Sequence, residues 1–345
     1  MILKNGRVYY KGSLQNLDIS IVDGVIDDID QHITGEGTDC LGMVIMPLLC
    51  DIHTHGCLGF DFAEATSGQF RKMDNFYHRS GVGVYLPTII SSPAKDYKDI
   101  AKRLAGLPLR LEGPFLGKAK RGAHRAENLC LPDMALIDEL GDQVKMVDID
   151  PTLPGALDTI EQLEKIGMKT SIGHTEATYE EAMAAFDRGC SHVTHLFNAM
   201  SPLHHRESGV IGAAYDRKEV TVELICDGYH ISPPVLRMAF ELFDGRICLI
   251  SDSYKTMGIE QSGYASLPDG TIAGAVMGIN RTVFMLEKWG VPIEKAIKAA
   301  AETPLRALGL PSCTIEKGEK AMLFAALPER AFPEWVFIDK EIYGG

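Results

Sequence analysis

Residues 43–56 read MVIMPLLCDIHTHG. An apolar run ends in two histidines, two residues apart, and then a glycine. On a strand alternate side chains share a face, so His53 and His55 point the same way and can converge on one ion. Such a pair also arises by chance, so its meaning depends on how other strand-like runs end. Seven more strand-like runs carry polar residues at or near their ends: GVGVYLPTII (81–90), LRLEGPF (109–115), VKMVDIDPTL (144–153), MKTSIGH (168–174), SHVTHLF (191–197), VTVELICDGYH (220–230) and ICLISDS (247–253). Helical patterns lie between many of them. In TYEEAMAAFDRG (178–189) Thr178 and Glu181 make a capping box and Gly189 a stop. Eight strand-then-helix units predict an α/β fold, a (β/α)8 barrel of the TIM type.

The chain ends read differently. ILKNGRVYY (2–10) carries an Asn-Gly turn signal and LDISIVDGVIDDID (17–30) an Asp-Gly one, both between alternating apolar residues. AMLFAAL (321–327) and EWVFIDKEIY (334–343) are again strand-like. Residues 1–46 and 314–345 are expected to pair into one small β-sandwich domain, and 47–313 to form the barrel. The length of 345 residues leaves room for both, since such a barrel takes about 250.

The net charge of −13 argues against nucleic acid or an anionic membrane as partner, because phosphates need a basic excess. A small anionic ligand needs only a few local donors. No secretion signal opens the chain, and no apolar run approaches the roughly 20 residues of a membrane helix. The eight cysteines form no C-x-x-C pair. They read as buried, reduced thiols of a cytoplasmic protein. Cys50 and Cys57 flank the histidine pair, with thiolate ligation as the alternative.

Barrel active sites form at the C-terminal strand ends. Those ends carry His53, His55, Glu112, His174, His195, Asp227, His230 and Asp252. Imidazoles and carboxylates on one rim are what a divalent metal site needs. His192 and His195 lie three apart and face opposite sides of a strand, so only His195, nearer the end, is expected to ligate. His192 is read as a hydrogen-bonded structural residue. Plainer roles exist for Glu112 (a buried salt bridge), Asp252 (a helix cap) and Arg206 (a solvated loop charge). His204 and His205 are read as loop residues, His32 and His78 as surface.

The chain resembles the N-acetylglucosamine-6-phosphate deacetylase family of the amidohydrolase superfamily. The likeness covers nearly the whole length. It rests on DIHTHG, LEGPFLGKAKRGAH, SIGHTEATYEEA, HVTHLFNAMSPLHHRESGVIGAA, CDGYHISP, SDS and DGTIAGA, in that order. The resemblance implies that Glu112, His174 and His195 hold the main metal, and that His53 and His55 with the same glutamate can hold a second. It implies Asp252 as acid/base and His124 as a residue polarising the substrate carbonyl. Asn198 and Ala199 would make a backbone contact to the sugar phosphate, with Arg206 and His230 as phosphate and sugar contacts. The arginine can come from the partner in a homodimer.

Several stretches depart from the family pattern. PLLCDIHTHG lacks a glycine after the proline. Arg125 stands where Asn or Asp is usual, and Ser253 where another small residue is. YKTMGIEQSGYASLP (254–268) is shorter than the family's stretch, which holds an extra strand pair, and KGEKAMLFAAL replaces the usual tail pattern.

The expected reaction is hydrolysis of N-acetylglucosamine 6-phosphate to acetate and glucosamine 6-phosphate, with one or two divalent ions: zinc, or else Fe, Mn, Co or Ni. Its rivals are the galactosamine epimer or another acylated amine as substrate, and a non-catalytic sugar-phosphate sensor. Whether His53 and His55 hold an ion or stand behind the first one is open at this point.

Overall fold

The computed structural model describes residues 1–259, 263–268, 270–330 and 332–344. Eight parallel strands follow one another around a barrel: β1 (Leu49–Thr54), β2 (Val82–Ile90), β3 (Leu109–Glu112), β4 (Val144–Ile149), β5 (Lys169–Ile172), β6 (His192–Val193), β7 (Thr221–Ile225) and β8 (Ile247–Ile250). Each is followed by a helix, for example Tyr179–Asp187 after β5. That helix starts with the expected Thr178–Glu181 capping box. Sequential order with a helix after every strand is the (β/α)8 arrangement.

The seam between β8 and β1 closes at the C-terminal rim. The Asp252 amide donates to His53 O at 2.9 Å and the His55 amide to Ser253 O at 2.9 Å. Thr54 and Ser253 pair there as a parallel bridge. Closure of the barrel and placement of three candidate site residues are therefore the same event.

The chain ends build a second sheet. Its order is Glu341–Gly344, Trp335–Ile338, Met322–Ala326, Val44–Pro47, Ile2–Tyr10, Ser13–Val22, Val25–Asp30. It curls so that its edge strand Val25–Asp30 reaches the segment leading into Met322–Ala326: Ile26 N–H donates to Glu319 O at 2.9 Å and Ala321 N–H to Gly24 O at 2.8 Å. The sandwich is thus one sheet folded over its own core of Leu3, Val8, Ile19, Ile26, Ile45 and Leu323.

The Asp23–Gly24 turn forms as expected, both residues at positive φ. The Asn-Gly signal does not make a turn. Ile2–Tyr10 is one strand with a register shift between Leu3 and Gly6, and Asn5 sits at φ 62° as a bulge. The Asn5 amide donates to Asp18 Oδ1 and its side chain to Asp39 Oδ1. The first hairpin turns instead at Lys11–Gly12. Asn-Gly supplies positive φ, which a bulge uses as readily as a hairpin turn.

The stretch 43–56 crosses between the sheets. Val44–Pro47 lies in the end sheet and, after Leu48, Leu49–Thr54 opens the barrel. The stretch read as shorter than the family's still contributes to a strand pair: Tyr264–Ser266 runs antiparallel to Ile272–Ala275. Positions 260–262 of that stretch, and Asp269, lie outside the described residues. Among the described residues no helix is long and apolar enough to cross a membrane.

Candidate metal centre and active-site cavity

Glu112, at the end of β3, is the hub. Two donor groups share it: His53, His55 and Glu112 form one, Glu112, His174 and His195 the other, each with ligand atoms within 4.8 Å of one another. All five residues are buried.

The hydrogen bonds decide which ring nitrogens are free. His174 Nδ1 lies 2.8 Å from Lys120 O, and His55 Nδ1 3.1 Å from Thr88 O. A carbonyl only accepts, so both Nδ1 atoms carry the proton and both Nε2 atoms offer a lone pair. His53 Nδ1 faces the Glu223 carboxylate at 3.0 Å and is fixed the same way. The free nitrogens then point at one another and at carboxylate oxygens. His174 Nε2 is 3.1 Å from His195 Nε2 and 2.9 Å from Glu112 Oε1. His53 Nε2 is buried with no hydrogen-bond partner among the described residues. Lone pairs crowded this closely repel unless a positive charge stands between them, so the donor set fits a divalent cation.

Charge agrees with this. Burial and Arg110 would lower the His53 pKa, but Asp252, Glu223 and Glu112 outweigh them and raise it to about 9. Burial would raise Glu112, yet the His124 and His53 rings and their neighbours hold it well below the usual carboxylate range. Thiolate ligation does not fit. Burial drives the Cys50 thiol well above its ordinary value and pushes Cys57 up to about 12. Neither residue belongs to a donor group.

Asp252 Oδ1 lies 3.2 Å from His55 Nε2. Burial pushes its carboxyl up, but His53 and His55 outweigh burial and keep it ionised. Its backbone is at φ 45°, with His174 at 49° and His195 at 29°. These are left-handed conformations that cost non-glycine residues of order 1–3 kcal/mol each and gather at functional sites. Asp252 is held there by the strand pair: Ala275 N–H donates to Asp252 O at 2.9 Å, and a Cβ on Gly274 would lie 2.8 Å from that oxygen. Gly56 has a similar but more local role. A Cβ there would lie 2.1 Å from Phe60 O, so it is required by its own short hairpin.

His124 is oriented by Ser91, whose amide donates to Nδ1 at 3.3 Å. Nδ1 therefore accepts, and the neutral ring keeps its proton on Nε2, 3.2 Å from Glu112 Oε2. Burial holds the His124 pKa down to about 4, so the ring is neutral near pH 7.

The group opens into a cavity of about 1060 Å³ walled by His55, Glu112, His124, His174, His195 and Asp252. Asn198, Ala199 and His230 also line it. Asn198 Nδ2 is buried there without a partner among the described residues. His230 Nδ1 is tied to Asp227 Oδ2 at 2.7 Å. Burial lowers the His230 pKa, but the Asp227 hydrogen bond outweighs it and raises it. Arg206 is not brought in: it sits on an exposed loop, outside the cavity wall.

His192 is structural, as expected, 2.6 Å from Thr221 Oγ1 and 3.0 Å from Glu223 Oε1. His32 is exposed, whereas His78 is half-buried against Tyr343. Sequence reading missed Glu223, Arg110 and Asp148. All are fully buried and mutually paired below the rim. The signal was opposite charges in the middle of strands that are otherwise apolar.

A scan against protein-family models finds no match. The chain is 30% identical to N-acetylglucosamine-6-phosphate deacetylase of Vibrio furnissii over 338 residues, 89% of this chain and 84% of that protein. It is 29% identical to N-acetylgalactosamine-6-phosphate deacetylase of Escherichia coli O157:H7, covering 91% and 92%. Among solved structures it matches an aspartate-to-alanine variant of N-acetyl-D-glucosamine-6-phosphate deacetylase from Mycobacterium smegmatis, in complex with N-acetyl-D-glucosamine-6-phosphate. The TM-score is 0.91 at 28% identity, covering 99% and 98%. With the barrel, the shared glutamate and these relatives together, the chain belongs to the N-acetylglucosamine-6-phosphate deacetylase family.

Proposed function

We propose that the protein removes acetate from N-acetylglucosamine 6-phosphate, giving glucosamine 6-phosphate. The observation that carries this is the pair of donor groups sharing Glu112, with Asp252 Oδ1 3.2 Å from His55 Nε2, in a cavity of sugar-phosphate size. Glu112, His174 and His195 would hold one divalent ion, and His53 and His55 with Glu112 a second. Zinc is the ion we propose, with Fe, Mn, Co or Ni also suited to imidazole and carboxylate donors. A bound divalent ion lowers the pKa of water towards about 7 and polarises the amide carbonyl.

The protein groups do the rest. Asp252 takes the proton of the attacking water and hands it to the leaving nitrogen as the C–N bond breaks. His124 donates its Nε2–H to the carbonyl oxygen as negative charge develops there. Water and amide thus become acetic acid and amine, and transfer of the remaining water proton from the acid to the amine lets them leave as acetate and the ammonium form. His230 and the backbone around Asn198 and Ala199 would hold the sugar and its phosphate. Arg206 offers a bidentate fork for phosphate. Its distance from its own cavity suits a homodimer in which it serves the partner. Eight free cysteines suit the reducing cytoplasm.

A second substrate has a specific claim, since the E. coli galactosamine-type relative is as similar as the glucosamine-type ones. The test is acetate release from both epimers, with metal content measured on the same sample. Preferential turnover of the glucosamine form with at least one ion per chain supports the proposal. Preference for the other epimer reassigns the substrate, and metal binding without turnover of either points to another acylated amine or to a sensor.

A further inference from the structure

Below the metal group the barrel interior is ionic. Arg110 is fully buried on β3, two residues before Glu112 and on the same face. Its guanidinium donates to Asp148 on β4 through Nε at 3.2 Å and Nη2 at 2.9 Å, and to Glu223 on β7 through both terminal nitrogens. It also donates to Ile52 O at 3.0 Å and Thr194 Oγ1 at 3.1 Å. Glu223 faces three other groups: His53 Nδ1 at 3.0 Å, His192 Nε2 at 3.0 Å and the His195 amide at 3.2 Å.

Such a network is costly, since buried charges must be fully paired to be tolerated. Its placement suggests what it supplies. His55 and His174 have their Nδ1–H fixed by backbone carbonyls at the rim. His53 instead meets the Glu223 side chain, reaching across from β7. Glu223 is in turn immobilised by Arg110, which has its own fork locked by Asp148. We infer that Glu223 is a positioning residue that fixes the tautomer and aim of His53, so that the Arg110–Asp148–Glu223 network builds the ion position formed by His53, His55 and Glu112. The inference rests on the proposed role of His53 as a ligand.

Outer partners of metal-bound histidines typically contribute 10–100-fold to metal affinity. Glu223→Gln keeps the shape but loses the carboxylate. It should bind the ion at Glu112, His174 and His195 as the wild type does, while the affinity of the second ion falls 10–100-fold in chelator competition. Glu223→Asp, which keeps the charge against Arg110 but withdraws it from His53, should do the same. The wild-type chain and His53→Asn serve as references. If wild type and His53→Asn bind equal metal, His53 is not a ligand and the underlying reading fails. If His53→Asn loses one ion but both Glu223 variants keep two at wild-type affinity, with only a lower melting temperature, the positioning role fails.

A further measurement requires no Glu223 variant. The wild-type proton NMR spectrum should show a downfield, hydrogen-bonded imidazole N–H that disappears in His53→Asn. An Nε2–H tautomer of His53 would overturn the inference.

Discussion

At the scale of single residues, Asp252 is the side chain on which the proposed chemistry turns. It combines a left-handed backbone, an ionised carboxylate and contact with His55. Asp252→Asn should retain metal, because its oxygen belongs to neither donor group, and lose about 10²–10⁴-fold in kcat. Turnover near wild type with metal bound would remove Asp252 from proton transfer. His230 offers a pH test. Its folded pKa is raised by Asp227, so the pair stabilises the fold fully below the unfolded value of about 6.5, and that contribution is lost as pH rises through the folded pKa. The stability deficit of Asp227→Asn should therefore be largest near about pH 6 and shrink towards alkaline pH. A pH-independent deficit in denaturant titrations would assign Asp227 to backbone capping alone, since it also accepts from the Tyr229 and His230 amides.

Most of these residues were legible in the sequence because a polar side chain ending an apolar run is conspicuous. Glu223 was harder to read, for a single charge inside VTVELI is only a hint and nothing in one strand reveals the opposite charge waiting on another. Arg206 was read as a phosphate contact, but one chain leaves it on an exposed loop.

At the scale of elements, alternation explains how the two sheets join. In Met322–Ala326, Leu323 and Ala325 pack into the end sheet's own core, while Phe324 and Ala326 belong to the barrel core. Val44–Pro47 divides likewise, Ile45 inward to its sheet, Val44 and Met46 towards the barrel. A strand buried on both faces reads as a continuous apolar run, so its period is hidden in the sequence. Phe324 lies over Gly81, whose added Cβ would stand 2.9 Å from the ring. Phe324→Ala should cost about 3–5 kcal/mol in denaturant unfolding. A loss under about 1 kcal/mol would mean that the joint carries little of the stability. The Asn5–Gly6 bulge was missed at this scale because its residue pair is also the usual hairpin signal. The strand pair at 264–275 was missed because its strands are too short to show a period.

At the scale of the whole molecule, the position of Arg206 predicts sharing between subunits. Arg206→Ala should raise KM for the phosphorylated sugar with metal content unchanged. Mixed with Asp252→Asn chains and allowed to exchange subunits, it should regain activity beyond the sum of the two variants. Each mixed dimer would then hold one cavity with both residues intact. No recovery, in mixtures shown to exchange, would place Arg206 in its own subunit's site or in neither.

The neighbouring strands Val44–Pro47 and Met322–Ala326 also set an order in time. A ribosome releases the first long before it has made the second. Until then the nascent protein carries an apolar strand with an open edge, one residue before the strand that bears His53 and leads into His55. Unpaired edges of this kind invite association with other chains. Synthesis interrupted before residue 322 should therefore yield a product that is adhesive as well as incomplete, which aggregation of chains truncated before that residue would show.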